Sequence, residues 1–180
     1  MHSNLIIAVD IGIRNMGFVV YDPGQKQLLE WKRVDLCDGA VYAPYKNVAM
    51  VHNFIDKHAN YFANCQMVLV ERQMRVNMRI LEAVFESRFF EKCRIIQAQA
   101  VKTHFSTCCR DYKKNKKRAV EWLGLHWNSH MIQSSMANFN DYALAWSREP
   151  KKDDLADSML MMLHFINTYS DLTQDEATGV

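Results

Sequence analysis

Two short apolar runs, each closed by a single acid, recur along the chain. Leu5 to Val9 is an unbroken apolar stretch that stops at Asp10, and Gln66-Met67-Val68-Leu69-Val70 repeats the design before Glu71. Continuous runs of this length predict strands covered on both faces. A carboxylate at the end of such a strand belongs where the strand emerges into a cleft or onto a cation. Between the two runs, Gly12 and Gly17 permit a turn and Phe18 to Tyr21 returns as a second strand. Asp22-Pro23-Gly24 marks another turn, and in Gln27 to Val34 the residues Leu29, Trp31 and Arg33 alternate against Leu28, Glu30 and Lys32. The result is an antiparallel three-stranded meander.

Helical spacing follows. Tyr45 to Tyr61 carries Val48, Val51, Phe54 and Ile55 on one face, and Val76 to Lys92 carries Ile80, Leu81, Val84, Phe85, Phe89 and Phe90. Arg79, Glu82, Glu86 and Arg88 fall on the remaining surface of the second helix. Arg94 to Gln97 reads as a short buried strand, so strand, helix and strand form a parallel crossover, and the sheet is mixed. Ala98 to Leu125 is helical in propensity but is interrupted by Arg110 to Arg118, and Gly124 marks the predicted helix end. Asn128 to Ser135 has no clear pattern, and Met136 to Trp146 predicts a short helix. After the Glu149-Pro150 break, Asp153 to Tyr169 places Leu155, Met159, Met162, Leu163 and Ile166 on one face, with Asp153 as the expected N-cap. Ser170 to Val180 loses the periodicity. Residues 1–170 are expected to form one domain and 171–180 a frayed tail.

Composition narrows the class without naming it. A hydrophobic share of 49%, a charged share of 23% and a net charge of +2 are ordinary for a globular protein and do not by themselves announce nucleic-acid binding. Five scattered cysteines, an odd number, predict reduced thiols without disulfides. No stretch approaches the roughly 18 to 20 apolar residues of a membrane span, and no basic-then-apolar leader opens the chain. A soluble intracellular protein is expected.

The candidate chemistry lies in four acids. Asp10 and Glu71 end strands, while Asp154 and Asp157 share a helix face at i, i+3 spacing. Clustered carboxylates repel, and a hard divalent cation such as Mg²⁺ or Mn²⁺ relieves them. Two such ions about 3.5 to 4 Å apart suit in-line phosphoryl displacement, the chemistry of a nuclease. Taken singly, each acid also fits a turn, a cap or a dipole partner. The complementary feature is the basic run, where Lys113, Lys114, Lys116, Lys117 and Arg118 form a candidate phosphate-binding surface, with Arg72 and Arg75 after Glu71 and Lys151 and Lys152 before the acidic helix. His126 and His130 stand at i, i+4, but the adjacent Cys108 and Cys109 lack zinc-ligand spacing, and no triad-like arrangement activates either thiol.

Four stretches resemble the RNase H-like Holliday junction resolvases of the RuvC superfamily, especially the poxvirus-type branch. They are Ala8-Val9-Asp10-Ile11-Gly12-Ile13-Arg14-Asn15, Leu69-Val70-Glu71-Arg72-Gln73, Lys116-Lys117-Arg118-Ala119-Val120-Glu121 and Lys152-Asp153-Asp154-Leu155-Ala156-Asp157-Ser158. They occur in family order and span most of the chain. The chain departs from the pattern at Gly17 and in the His126 to Trp146 segment.

The resemblance implies an α/β, RNase H-like fold, with a mixed central sheet of antiparallel meander plus parallel strands flanked by helices. It implies a structure-selective endodeoxyribonuclease of DNA recombination and repair, acting on four-way junctions as a homodimer, and for a viral protein a place in the host cytoplasm. Asp10, Glu71, Asp154 and Asp157 would be the catalytic metal ligands, for two Mg²⁺ ions per site with Mn²⁺ as substitute. Lys102, Lys116 and Lys117 fall where the family has basic residues near DNA.

Three other readings stay open. One is an RNase H-like nuclease of RNA:DNA hybrids or of flap and other branched DNA. Another is a non-catalytic junction-binding module, which commonly lacks one acid, whereas all four are present here. The actin-like ATPase fold also begins with a strand-end aspartate, but it needs two lobes and a second glycine-rich loop, and this chain has only six glycines.

Overall fold

The computed structural model describes residues 4–169; the tail expected to fray lies outside them. A five-stranded sheet forms the centre, with β1 (Leu5–Asp10), β2 (Met16–Asp22), β3 (Gln27–Val34), β4 (Cys65–Glu71) and β5 (Cys93–Ile96) in the spatial order β3-β2-β1-β4-β5. β1 pairs antiparallel with β2 and parallel with β4, and β4 pairs parallel with β5. The mixed sheet expected from the apolar pattern is therefore present.

Strand alternation sorts the core into two halves. Ile6 and Ala8 of β1, Val19 and Tyr21 of β2 and Leu69 of β4 face one side. Leu5, Ile7, Val9, Phe18, Val20, Val68 and Val70 face the other. The second side is covered by α1 (Asn47–Lys57), α2 (Ala59–Ala63) and α3 (Val76–Arg88). The first side is covered by α4 (Ala98–His104), α5 (Tyr112–His126), α6 (His130–Ser135), α7 (Ala143–Arg148) and α8 (Lys152–Thr168). Of these, α8 is buried on nearly every side, including Ala156, Leu160, Met161 and Phe165, which lie off the predicted stripe.

Several local expectations change. In β3 the strict alternation fails, because Val20 pairs with Glu30 while Tyr21 pairs with Leu28, and the resulting bulge at Leu29 turns both Leu28 and Trp31 inward. In α1 Met50 joins the expected Val51, Phe54 and Ile55 on the buried face, and Val48 is exposed instead. α3 stops at Arg88, leaving Phe90 81% exposed, and its Glu82 is buried where a surface position was expected. The basic run does not interrupt helicity. Asp111 accepts hydrogen bonds from the Lys113 and Lys114 backbone N–H groups and so starts α5 within that run; the break falls earlier, before Asp111. α5 also continues through Gly124 to His126, since a glycine inside a helix costs only about 1 kcal/mol.

The His126 to Trp146 segment folds as the end of α5, α6, a 3₁₀ turn at Phe139–Tyr142 and α7. It lays Trp127, Phe139 and Trp146 against Trp31, with ring centroids 5.3–5.9 Å apart. The uncertain Asn128 to Ser135 stretch becomes helical from His130, with the Ser129 side chain accepting from Ile132 N.

Candidate active site

The placement of the first two acids follows from strand period. Asp10 continues the Ile6 and Ala8 series and Glu71 continues the Leu69 series, so both point to the side covered by α8. Val9 is in register with Val70, which sets Asp10 and Glu71 at the adjacent ends of two parallel strands. α8 then brings Asp154 and Asp157 to the same place.

Its close approach depends on a glycine opposite Asp10. Gly17 pairs with Asp10 across the β1–β2 ladder, and a Cβ there would lie 2.5 Å from the Asp154 carbonyl oxygen and 2.7 Å from the Ser158 side chain. The backbone of Gly17 is not in the left-handed region. Its function is space, and the turn expected to need it needs room at Gly12 instead, where a Cβ would meet the Asn15 carbonyl at 2.6 Å. On the next strand, Trp31 Nε1 donates to the Leu155 carbonyl at 3.1 Å and fixes the start of α8.

The acids sit in two unlike electrostatic settings. Asp10 is 8% exposed, and burial raises its pKa well above the usual carboxylate value, with Glu71, Asp157 and Asp154 adding repulsion and Glu71 a shared hydrogen bond. Burial and then Glu71 push Asp157 up to about 7, against the opposing pull of Lys102 and Lys116. Asp153 and Asp154 instead face cations. Lys116 Nζ donates to Asp153 Oδ2 at 2.6 Å and to Asp154 Oδ1 at 3.0 Å, and Lys151 Nζ lies 3.1 Å from Asp154 Oδ2. Burial alone would lower the Lys116 pKa, but the two aspartates drive it above the ordinary lysine value. Asp153 is thus an ion-pair residue; the expected N-cap role is not taken, since no side chain caps α8.

All four acids line one open cavity of about 530 Å³, together with Arg14, Asn15, Arg72, Arg75, Lys102, Lys116 and Lys151. The other expected basic residues lie elsewhere. Lys113 and Lys114 are exposed on the first turn of α5, Lys117 pairs with Glu121, and Arg118 donates to the Cys108 carbonyl. Lys152 turns to the Ser147 and Glu149 carbonyls and lies over the Trp146 ring. Arg72 lines the cavity but commits Nη1 to Glu82.

Three residues of the site, Gly17, Gln73 and Glu82, carried no site role in the sequence reading. Gly17 had a signal, since a glycine opposite a strand-end acid marks a close approach. Gln73 lay in the Leu69 to Gln73 stretch that resembles the family, whereas Glu82 had no signal: it adjoins the apolar positions of α3, and only the fold turns it toward the end of β4.

The donor set suits a hard divalent cation, being entirely oxygen. Asp154 Oδ2 is buried and accepts no hydrogen bond, its contact with Lys151 being an ion pair without hydrogen-bond geometry. Among the described residues, no three His, Cys, Asp or Glu side chains already stand as a closed ligand group for one ion. The fold collects the acids in one cleft without completing a coordination shell.

Residues 4–168 match the family model of the Poxvirus A22 protein. No curated protein sequence matches the chain significantly. Among solved structures, the fowlpox virus Holliday junction resolvase is 17% identical, with a TM-score of 0.62 over 91% of this chain and 98% of its own. A complex of fowlpox virus resolvase with Holliday junction DNA gives 17% and 0.63 over 91% and 97%. RuvC from Thermus thermophilus in complex with a Holliday junction gives 16% and 0.54 over 93% and 96%. The shared architecture is the RNase H-like fold of RuvC-type proteins. With a match from the first strand to the last helix, the chain belongs to the Poxvirus A22 protein family.

Proposed function

We propose that this chain is a structure-selective endodeoxyribonuclease that resolves four-way DNA junctions by symmetric hydrolysis of opposed strands. The observation that carries the reading is the convergence of Asp10, Glu71, Asp154 and Asp157 from two strand ends and one helix into a cleft rimmed by cations. Family membership and the likeness to proteins solved in complex with Holliday junction DNA support the substrate.

The same four acids would hold the divalent cations, Mg²⁺ with Mn²⁺ as substitute, two to a site. When bound, such ions supply charge stabilisation at the scissile phosphate and an activated water. The chain supplies the rest. Lys102, Arg75 and Arg14 line the cleft and favour entry of a phosphodiester backbone. Lys116 neutralises Asp153 and Asp154 and holds the start of α8 in place. Lys113, Lys114, Lys117 and Arg118, outside the cleft, lie on the α5 surface where longer duplex arms would pass. A homodimer presents one cleft to each of two opposed strands, so charge supplies affinity and symmetry selects the branched shape.

Incubation of the protein with a labelled mobile four-way junction and Mg²⁺ tests the proposal. Paired nicks at symmetric positions are expected, with 5′-phosphate and 3′-hydroxyl ends. Preferential cutting of an RNA:DNA hybrid or a flap would assign the site to another RNase H-like nuclease, and junction binding without any cutting would mark a binding module.

A further inference from the structure

The corner that follows Glu71 is held by a carboxylate that the packing of α3 does not require. Leu81, Val84 and Phe85 already form the inward face of that helix, and Glu82 lies among them at 3% exposure. A carboxylate taken out of water persists only when it is paired and hydrogen-bonded. Glu82 is both. Its Oε1 accepts from Arg72 Nη1 at 2.8 Å and its Oε2 accepts from the Gln73 backbone N–H at 2.6 Å.

The chain of contacts continues to the cleft. Gln73 Nε2 donates to the Glu71 carbonyl and to Glu71 Oε2, each at 3.2 Å. The Arg72 backbone N–H donates to the Ile96 carbonyl at 2.8 Å, extending the β4–β5 ladder past the last strand residue. Glu82 therefore fixes the two residues whose backbone and side chain set the direction of Glu71. Its pull on Arg72 also orients the guanidinium fork at the cavity wall while leaving other N–H donors free of this pair.

We infer that Glu82 is a positioning residue for the active cleft, acting on Glu71 through Gln73. The inference rests on the reading of Glu71 as a cation ligand. A merely structural role predicts something different, because Arg72 is partly exposed and can turn to water, and a leucine at position 82 would extend the apolar face of α3.

The test uses the full chain and the variants Glu82→Leu, Glu82→Gln, Gln73→Ala, Gln73→Ala with Glu82→Leu, and Glu71→Gln. Three quantities are measured: Mn²⁺ affinity of the DNA-free protein by calorimetry, single-turnover junction cleavage against Mg²⁺ concentration, and junction affinity in EDTA. Partners that orient a ligand commonly contribute 10- to 100-fold. Glu82→Leu should thus weaken Mn²⁺ binding and raise the half-saturating Mg²⁺ by about 10-fold or more, with junction affinity unchanged. Glu82→Gln should recover part of the loss, since its amide oxygen still accepts from Gln73. In the Gln73→Ala background, removing Glu82 should add little.

Wild-type Mn²⁺ affinity and cleavage in Glu82→Leu, whatever its thermal midpoint, would overturn the inference, as would losses from Gln73→Ala and Glu82→Leu that multiply. If Glu82→Leu fails to fold, Gln73→Ala alone decides, with the same loss expected and wild-type behaviour overturning it. Wild-type cleavage by Glu71→Gln would instead remove the foundation, the ligand role of Glu71, and is distinguishable because it does not depend on position 82.

Discussion

The cleft has two halves that treat the same chemical group in opposite ways. At the strand ends, Asp10 and Glu71 share a hydrogen bond, and the charges raising the Asp10 pKa are all acidic. At the start of α8, Asp153 and Asp154 are met by Lys116 and Lys151. The helix half balances its own charge, while the strand half is stable only with shared protons or an added cation. An incoming divalent ion therefore gains most where the chain provides least. Asp157 lies between the halves, repelled by Glu71 and drawn by Lys102 and Lys116.

Removing an acid from the strand half breaks this contrast most directly. Asp10→Asn should lower junction cleavage by at least about 10²- to 10³-fold, the range seen when one preorganised electrostatic group is lost. Junction binding in EDTA should persist, and the thermal midpoint of the cation-free protein should rise, because a buried repulsion has gone. Gel cleavage, filter binding and thermal unfolding give the three readouts. Undiminished cleavage would detach Asp10 from the chemistry, and a lowered midpoint would mean that the strand half is not strained.

The distance between the halves is set by Gly17. In Gly17→Ala the new methyl would lie 2.5 Å from the Asp154 carbonyl and 2.7 Å from Ser158, so α8 must move away from the sheet. Overpacking of this kind costs about 1–3 kcal/mol. A displacement of about 1 Å at a reacting group can cost about 100-fold in rate. Urea unfolding and cleavage should both record the change, the expected result being lost activity in a protein that still folds.

The sheet and the strand acids were legible because the unbroken apolar runs are short and each closes on one acid, and the strand, helix and strand order from Gln66 to Gln97 implied a parallel crossover; the pairing of β1 with β4 came only from the fold. α8 was legible as an element but not in its burial, since a helix enclosed on nearly every side loses the stripe that periodicity detects. The β3 bulge escaped because it depends on pairing with β2, which local sequence does not encode. Cation placement was the least legible part of the site. Lys116 and Lys117 are adjacent in sequence, yet helix geometry sends one to the acids and the other to solvent, and Arg72 is held by a glutamate ten positions away.

The raised pKa values give the contrast a pH signature. Asp157 has its folded-state value near 7 and its ordinary value near 3.8, and Asp10 is raised as well. Between those limits the folded protein binds more protons than the unfolded chain, so stability falls as pH rises from about 4 to about 7. Each pH unit over which the folded protein holds one more proton than the unfolded chain lowers stability by about 1.4 kcal/mol. Thermal unfolding in EDTA should show it. Saturating Mg²⁺ should flatten it by replacing the protons, with proton release measurable in buffers of different ionisation enthalpy. Asp157→Asn should remove much of the slope.

The smallest effect compares the two neighbouring lysines. Lys117 has a side chain 77% exposed and a helical Glu121 partner that contributes little. Its charge is available to a phosphate, so Lys117→Ala should weaken junction binding modestly and reduce the slope of log affinity against log salt by about one. Lys116 is already spent on Asp153 and Asp154. Lys116→Met should leave the salt slope nearly unchanged but lower the stability of the cation-free protein, because Asp153 loses its ion pair and Asp154 keeps only the one with Lys151. Added Mg²⁺ should then stabilise the variant more than the wild type, since the helix half has been made to resemble the strand half. A full unit of salt slope lost in Lys116→Met would show that Lys116 leaves its acids for the DNA backbone, and the helix half would then be balanced only until the junction arrives.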